Sequence, residues 1–269
     1  MEAETYKKIT EKKEFSRLPK KDVETAFTHF AKRQCSEEEK IKLTRDLLRK
    51  VFSAFASHKI LSPKNKNGPS VRTPKSRSEE WILRKHLSTR ERLPFYREVY
   101  GRILKNEKKD FSLIDLGAGI NGFSYIFFEK LGLKPRYVGV EAVGQLADLM
   151  NDYFKKTKKD GKVIHASLFE LEKIKKIISG QKKPRIVFLL KTIDSLEMLE
   201  DNYSKKLLLE IAPLCDKIIA SFATGSMIKK TKFRAKRNWI VDFIRENFEL
   251  TDDFEIGNER YVIFKNKLF

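Results

Sequence analysis

From Phe111 onward the sequence repeats one alternation, and that alternation limits the fold more than any other feature. FSLIDLG (111–117), RYVGVEA (136–142), GKVIHAS (161–167), PRIVFLLK (184–191) and DKIIASF (216–222) are apolar or β-branched runs of strand length. Between them, residues 122–131, 144–157, 169–179 and 202–212 carry helical spacing. Strand and helix in alternation make a parallel sheet covered on both faces, because a crossover helix is what returns the chain in the same direction. A basic helical stretch (236–247) follows, then FELTDDFEIG and ERYVIFKN, close enough in sequence to pair as an antiparallel hairpin at the sheet's end. The expected architecture over 106–269 is therefore α/β, a parallel sheet closed by a C-terminal hairpin.

Residues 1–105 read as a helical, basic extension. Asp22 is placed to cap a helix carrying Val23, Ala26, Phe27 and Phe30. Ser36 with Glu39 forms a capping box ahead of Ile41, Leu43, Leu47, Leu48, Val51, Phe52 and Phe55. Segment 61–78 (LSPKNKNGPSVRTPKSRS) has three prolines and no acidic residue, so it reads as a flexible basic linker or loop. Ser88 with Glu91 is a second capping box, although Pro94 could itself open the helix that follows. Residues 1–78 carry no cofactor motif, so their removal is expected to spare cofactor binding and abolish RNA modification.

Charge bears on partners. Lys and Arg number 57 against 37 Asp and Glu, a net of +20, and residues 1–110 hold 29 of the basic and 16 of the acidic groups. Such an excess suits a polyanion, RNA above all, although a solvated lysine-rich surface would give the same composition. No apolar run reaches the roughly 18 residues of a membrane span, and MEAETYKKITEKKEF has no apolar export segment. A cytoplasmic protein without a membrane partner is expected. Cys35, Cys215 and the four histidines are scattered without metal or redox spacing, so no metal is expected either.

The first strand ends in Asp115-Leu116-Gly117-Ala118-Gly119, where glycines let a backbone approach a ligand. The second ends in Glu141, 22 residues beyond Gly119, placed to accept from ribose hydroxyls. Gly117, Gly119 and Gly122 also satisfy G-x-G-x-x-G, so a dinucleotide oxidoreductase is a competing reading. Three features favour a methyl donor instead: Asp115 two residues before the first glycine, the large basic extension, and the terminal hairpin. Five parallel strands and a hairpin are the plan of class I S-adenosylmethionine-dependent methyltransferases, a Rossmann-like fold.

The segment His86-Leu87-Ser88-Thr89-Arg90-Glu91-Arg92-Leu93 resembles the H-x-S-[ST]-[KR]-E-R-L motif of the aminoglycoside-resistance type 16S ribosomal RNA (guanine-N7) methyltransferases. The resemblance continues in order through LIDLGAGIN (113–121), FLLKTIDSLE (188–197), SFATGSMIKKTKF (221–233) and Ile256-Gly257-Asn258-Glu259, covering roughly 80–269. It implies S-adenosyl-L-methionine as cofactor and a base of small-subunit ribosomal RNA near the decoding region as substrate. Carried over by position, His86, Ser88 and Arg92 meet the methionine end, with Arg92 pairing its carboxylate. Asp115, Gly117 and Gly119 form the loop beneath, and Glu141 holds the ribose. Ser167 and Leu168 line the adenine, while Leu190 and Lys191 face the transferred methyl group. The chain departs from the family in three places. Ser167 stands where an aspartate is usual, Ala223 replaces a proline, and KKTKFRAKR replaces a glycine-rich loop.

That last segment sets Lys229, Lys230, Lys232, Arg234, Lys236 and Arg237 around Phe233, a pattern for RNA contact in which the aromatic stacks on a base. Trp239 is expected in the core. Guanine N7 offers a free lone pair and needs no base, whereas an exocyclic amine usually needs an acceptor after the fourth strand, where Leu190-Lys191-Thr192-Ile193 stands. Guanine N7 is thus favoured over cytosine N4. A non-catalytic, ribosome-associated RNA-binding protein with a degenerate fold is the remaining alternative. A monomer is expected.

Overall fold

The computed structural model describes residues 1–53, 79–224 and 237–267. Seven strands form one sheet: β1 (Ser112–Leu116), β2 (Arg136–Glu141), β3 (Gly161–His165), β4 (Arg185–Leu190), β5 (Lys217–Ala223), β6 (Phe248–Ile256) and β7 (Glu259–Asn266). Their order is β3-β2-β1-β4-β5-β7-β6, with the first five parallel and β7 antiparallel to both β5 and β6. β1, β2 and β4 are apolar on both faces because helices cover both, as their unbroken runs anticipate. Strand order reverses between β1 and β4, and such a switch opens a crevice beyond the strands' C-terminal ends.

The helices Gly144–Thr157, Leu171–Ser179, Tyr203–Ile211 and Asn238–Asn247 fall where their patterns lie. Two more stand outside those patterns, Ala3–Thr10 and the short Ile193–Leu199 after β4. Ser36 caps Glu37–Leu48 by accepting from the Glu39 amide. The other two capping assignments are corrected. The helix Lys20–Ala31 starts after Pro19, so Asp22 lies inside its first turn rather than before it. Leu87–Arg92 starts after His86, which puts Ser88 within the helix, its Oγ 3.2 Å from His86 Nδ1.

The N-terminal helices are packed against the α/β layer. Arg17 pairs with Asp148 and Gln145 donates to the Lys13 carbonyl at 3.0 Å, fixing the extension to the helix after β2. His29 Nε2 lies 2.6 Å from the Leu199 carbonyl, fixing it to the helix after β4. The extension therefore spans the crevice at the sheet's switch point. Trp239, expected in the core, is 40% exposed, with the Lys205 ammonium 5.7 Å from its ring. The apolar side of its helix is instead filled by Ile240, Val241 and Ile244.

Candidate active site

A cleft enclosing about 730 Å³, counted to its open mouth, lies beyond the C-terminal ends of β1 to β4. Of the residues singled out in the sequence, it is lined by His86, Ser88, Gly117, Gly119, Glu141, Leu168, Leu190 and Lys191. Along the strand order, β4 contributes Leu190 and Lys191, β1 the glycine loop, β2 Glu141, and the turn after β3 Leu168 and Phe169. An extended ligand laid across these ends would meet charge first, then a glycine cradle, a carboxylate, and an apolar wall.

The glycine loop is fixed from below. Gly117 and Gly119 have φ of +75° and +54°, a region that side chains resist. A Cβ on Gly117 would stand 2.8 Å from Thr192 Cγ2, and one on Gly119 would stand 3.2 Å from His86 Nε2. Thr192 itself donates to the Leu116 carbonyl at 3.0 Å, tying the end of β4 to the end of β1. Asp115 is buried under the loop and does not line the cleft. Its Oδ2 accepts from Tyr137 at 2.6 Å and from Asn121 at 2.8 Å, and Asn121 Oδ1 accepts from Tyr96 at 2.7 Å. A chain of hydrogen bonds thus links the helix after the H-x-S-T-R-E-R-L motif to the loop it supports.

Glu141 accepts from the Gly119 amide at 2.7 Å and the Val143 amide at 2.8 Å, which aims its carboxyl across the loop. Burial pushes its pKa up to about 7 against those hydrogen bonds. His86 is driven the other way. Burial, with the Arg92 and Lys191 charges, lowers it to about 4, so its ring is neutral near pH 7.

Arg92 does not line the cleft. It is buried, with Nη2 2.6 Å from Glu259 Oε1 and Nε 3.3 Å from the Tyr261 hydroxyl. Lys191 Nζ lies 2.7 Å from Glu91 Oε2 and 3.3 Å from Glu259 Oε2, and the Ser221 hydroxyl donates to Glu259. Burial raises the Glu259 pKa, but the Arg92 and Lys191 charges outweigh it and leave the carboxyl below its usual range. Two cations and two anions, drawn from three sequence motifs, close one largely buried network. Lys191 also has φ +57°, an uncommon conformation held here by its amide donating to Ser221 Oγ at 3.0 Å.

Ser167 is buried beneath the wall rather than in it, its Oγ accepting from the Phe169 amide at 3.0 Å. The cleft also contains residues that the sequence alone does not place there: Asp22, Val51 and Phe52 of the extension, and Ser195, Leu196 and Leu199. The helical pattern marks Val51 and Phe52 only as core candidates and Asp22 only as a cap. Arg237, a candidate RNA contact in the sequence, forms a two-point ion pair with Asp194, with Nε–Oδ1 and Nη2–Oδ2 both 2.8 Å. Lys229, Lys230, Lys232, Phe233, Arg234 and Lys236 lie outside the described residues, as does segment 61–78. Among the described residues no group of three or more His, Cys, Asp or Glu could hold a metal, and no helix is long and apolar enough to cross a membrane.

No family model matches the chain. Over 80 residues, 27% of this chain, it is 32% identical to the 16S rRNA (guanine(1405)-N(7))-methyltransferase of Proteus mirabilis, a match that spans 28% of that relative's length. Solved structures match far more of it. The 16S rRNA methyltransferase RmtF, in complex with S-adenosyl-L-homocysteine, superposes with a TM-score of 0.78 at 17% identity, over 99% of this chain and 100% of that one. The 16S rRNA methylase RmtB gives 0.74 at 18% identity, over 98% of each chain. An rRNA methylase from Escherichia coli gives 0.75 at 17%, over 98% of this chain and 99% of that one. All four are rRNA methyltransferases by name, the family that the motifs resemble. From its N-terminal helices to its closing hairpin, this chain has the class I methyltransferase fold in the form that these rRNA methyltransferases take.

Proposed function

We propose that the chain is an S-adenosylmethionine-dependent methyltransferase acting on 16S ribosomal RNA, with guanine N7 as the atom modified. The observation that carries this reading is the cleft itself. A positive-φ glycine cradle, the Glu141 carboxyl and the Leu190-Lys191 strand end share one sheet edge, in the order that the cofactor's parts require. Glu141 would accept from the ribose hydroxyls. Gly117 and Gly119 let the loop pack closely against Thr192 and His86 beneath the cofactor's methionine chain, since a Cβ at either position meets those neighbours. On the β4 side Lys191 lines the cleft and is the cation placed for the cofactor's carboxylate, while Arg92, held by Glu259, positions the network that Lys191 shares.

When bound, S-adenosylmethionine supplies an electrophilic methyl group. The chain's own contribution is to align a base with it and exclude water. Leu190 and Lys191 would border the transfer point. The Lys191 ammonium, held by Glu91 and Glu259, offers hydrogen-bond donors at that point and no acceptor. That suits a ring nitrogen with an exposed lone pair. RNA would be held by the basic segment around Phe233, whose described flanks are Thr224, next after β5, and Arg237, which is tied to the Ala223 carbonyl and to Asp194.

The test is incubation of small ribosomal subunits with isotopically labelled S-adenosylmethionine, followed by mass spectrometry of the 16S RNA digest. Label on N7-methylguanosine is expected. Label on cytosine would move the target to an exocyclic amine, and absence of label, with the cofactor bound, would leave a non-catalytic RNA-binding protein.

A further inference from the structure

One wall of the cleft comes from the extension, and it carries a carboxyl group with one oxygen that the described residues leave without a partner. Asp22 lines the cleft beside Leu168 and Phe169, at the β3 end of the strand order. It is 2% exposed, and its Oδ2 has no hydrogen-bond partner among the described residues. Buried polar groups without partners are rare because each costs stability, so one facing a ligand cleft marks a contact that a ligand completes. The surroundings favour a flat base there. Leu146, Leu168, Phe169, Leu196 and Leu199 form apolar walls, and Glu141, the ribose candidate, stands next in line.

We infer that Asp22 recognises the exocyclic amino group of the cofactor's adenine, accepting its N–H through the free carboxyl oxygen. The inference rests on the reading of the cleft as a site for S-adenosylmethionine. It also accounts for Ser167. The position after β3 that could have presented a carboxylate holds a serine, whose hydroxyl is turned to the Phe169 amide and to Asp22. The acceptor is supplied from another element. Here the base-reading group is carried by the helix Lys20–Ala31, so the extension takes part in cofactor selection as well as in whatever it does with RNA. The Asp22 carboxyl faces Ser167, Glu141 and Glu170. Burial first, then the two glutamates, raise its pKa to about 7, while the Ser167 hydroxyl opposes the rise. An amino-group donor favours its ionised form.

Calorimetry with two probes tests this: S-adenosyl-L-homocysteine, and its analogue in which hydrogen replaces the 6-amino group. The analogue removes one donor and adds none. The wild-type chain should bind the adenine form about 10- to 100-fold more tightly, the range for a hydrogen bond to a charged group. In Asp22→Ala that ratio should fall to within about twofold of unity, with the loss confined to the adenine form. Asp22→Asn, which keeps a carbonyl acceptor, should retain part of the preference. Asp22→Asn, which keeps an oxygen for the Ser167 hydroxyl, should hold the melting temperature of the free protein near that of the wild type. An Asp22→Ala variant that folds normally and keeps the full wild-type ratio overturns the inference while leaving the cofactor reading intact. A wild-type chain that binds neither probe overturns both.

Discussion

At the scale of single residues, the chain places charge where water cannot reach it, and each placement has a measurable consequence. The resemblance assigns Arg92 to the cofactor, whereas in the fold its guanidinium meets Glu259, with both side chains almost wholly buried. Removing one member of such a pair strands the other. Arg92→Ala should therefore cost about 3–5 kcal/mol of stability. Adding Glu259→Gln should restore part of that, and chemical denaturation of the two singles and the double would measure the coupling. Strict additivity would mean the pair contributes nothing. The raised carboxyls give a pH dependence whose sign follows from linkage. Asp22 and Glu141 reach about 7 in the fold, from ordinary values of 3.8 and 4.5. Between about pH 4 and 7 the folded chain holds more protons than the unfolded one, so their contribution is full at low pH and lost as pH rises through 7. Ligand donors favour both ionised forms. The rise in melting temperature caused by S-adenosylhomocysteine should accordingly grow from pH 6 to pH 8, and a flat profile would count against ribose and amino contacts at these two groups.

At the scale of elements, β1, β2, β4 and β5 are legible as near-continuous apolar runs, a pattern that burial on both faces imposes, while the edge strands β3 and β6 are read from their place between turns and helices. The hairpin's Glu259 and the motif's Glu91 are also in view, but no spacing rule says that residues 168 positions apart will share a lysine. Long-range ion pairs are set by topology, and topology is not periodic. The same holds for the extension. Its helices are readable from spacing and one cap, yet the assignment of Asp22, Val51 and Phe52 to the cleft depends on where that bundle docks. The docking contacts include Arg17 with Asp148, Gln145 with the Lys13 carbonyl and His29 with the Leu199 carbonyl, single residues with no pattern around them. Under the proposed reading of the cleft, these three lining residues would make removal of residues 1–78 weaken cofactor binding, contrary to the expectation from their lack of motifs. Phe52 is the cleanest probe, since it is half-buried and its side chain lines the cleft. Phe52→Ala should weaken S-adenosylhomocysteine roughly 5- to 10-fold, about 1 kcal/mol of apolar burial. Its melting temperature should stay near that of the wild type. Unchanged affinity would return the extension to RNA binding alone.

For the whole molecule, a net charge of +20 governs how it meets a polyanion, and the ion pairs decide which cations are free to do so. Arg237 already has Asp194 at two points and donates to the Ala223 carbonyl at 2.8 Å, closing the base of the segment that contains Phe233. Its charge is largely neutralised before any RNA arrives. If the proposed interface holds, Lys229, Lys230 and Lys232 neutralise phosphates that Arg237 does not. Each phosphate left without its lysine should flatten the slope of log affinity against log salt by roughly 0.7–0.9. The triple Lys229→Ala, Lys230→Ala, Lys232→Ala variant should therefore flatten it by about 2–3, with cofactor affinity unmoved. Arg237→Ala should change the slope by less than one such step and should lower the melting temperature instead, because it opens the Asp194 pair. Phe233→Ala separates stacking from charge: a stacked base should cost about 1–3 kcal/mol in catalytic efficiency with no change in salt slope. Filter binding across a salt series, with melting curves on the same variants, distinguishes these outcomes. A triple variant with an unaltered slope would move the phosphate-binding role to the other basic stretch, 61–78.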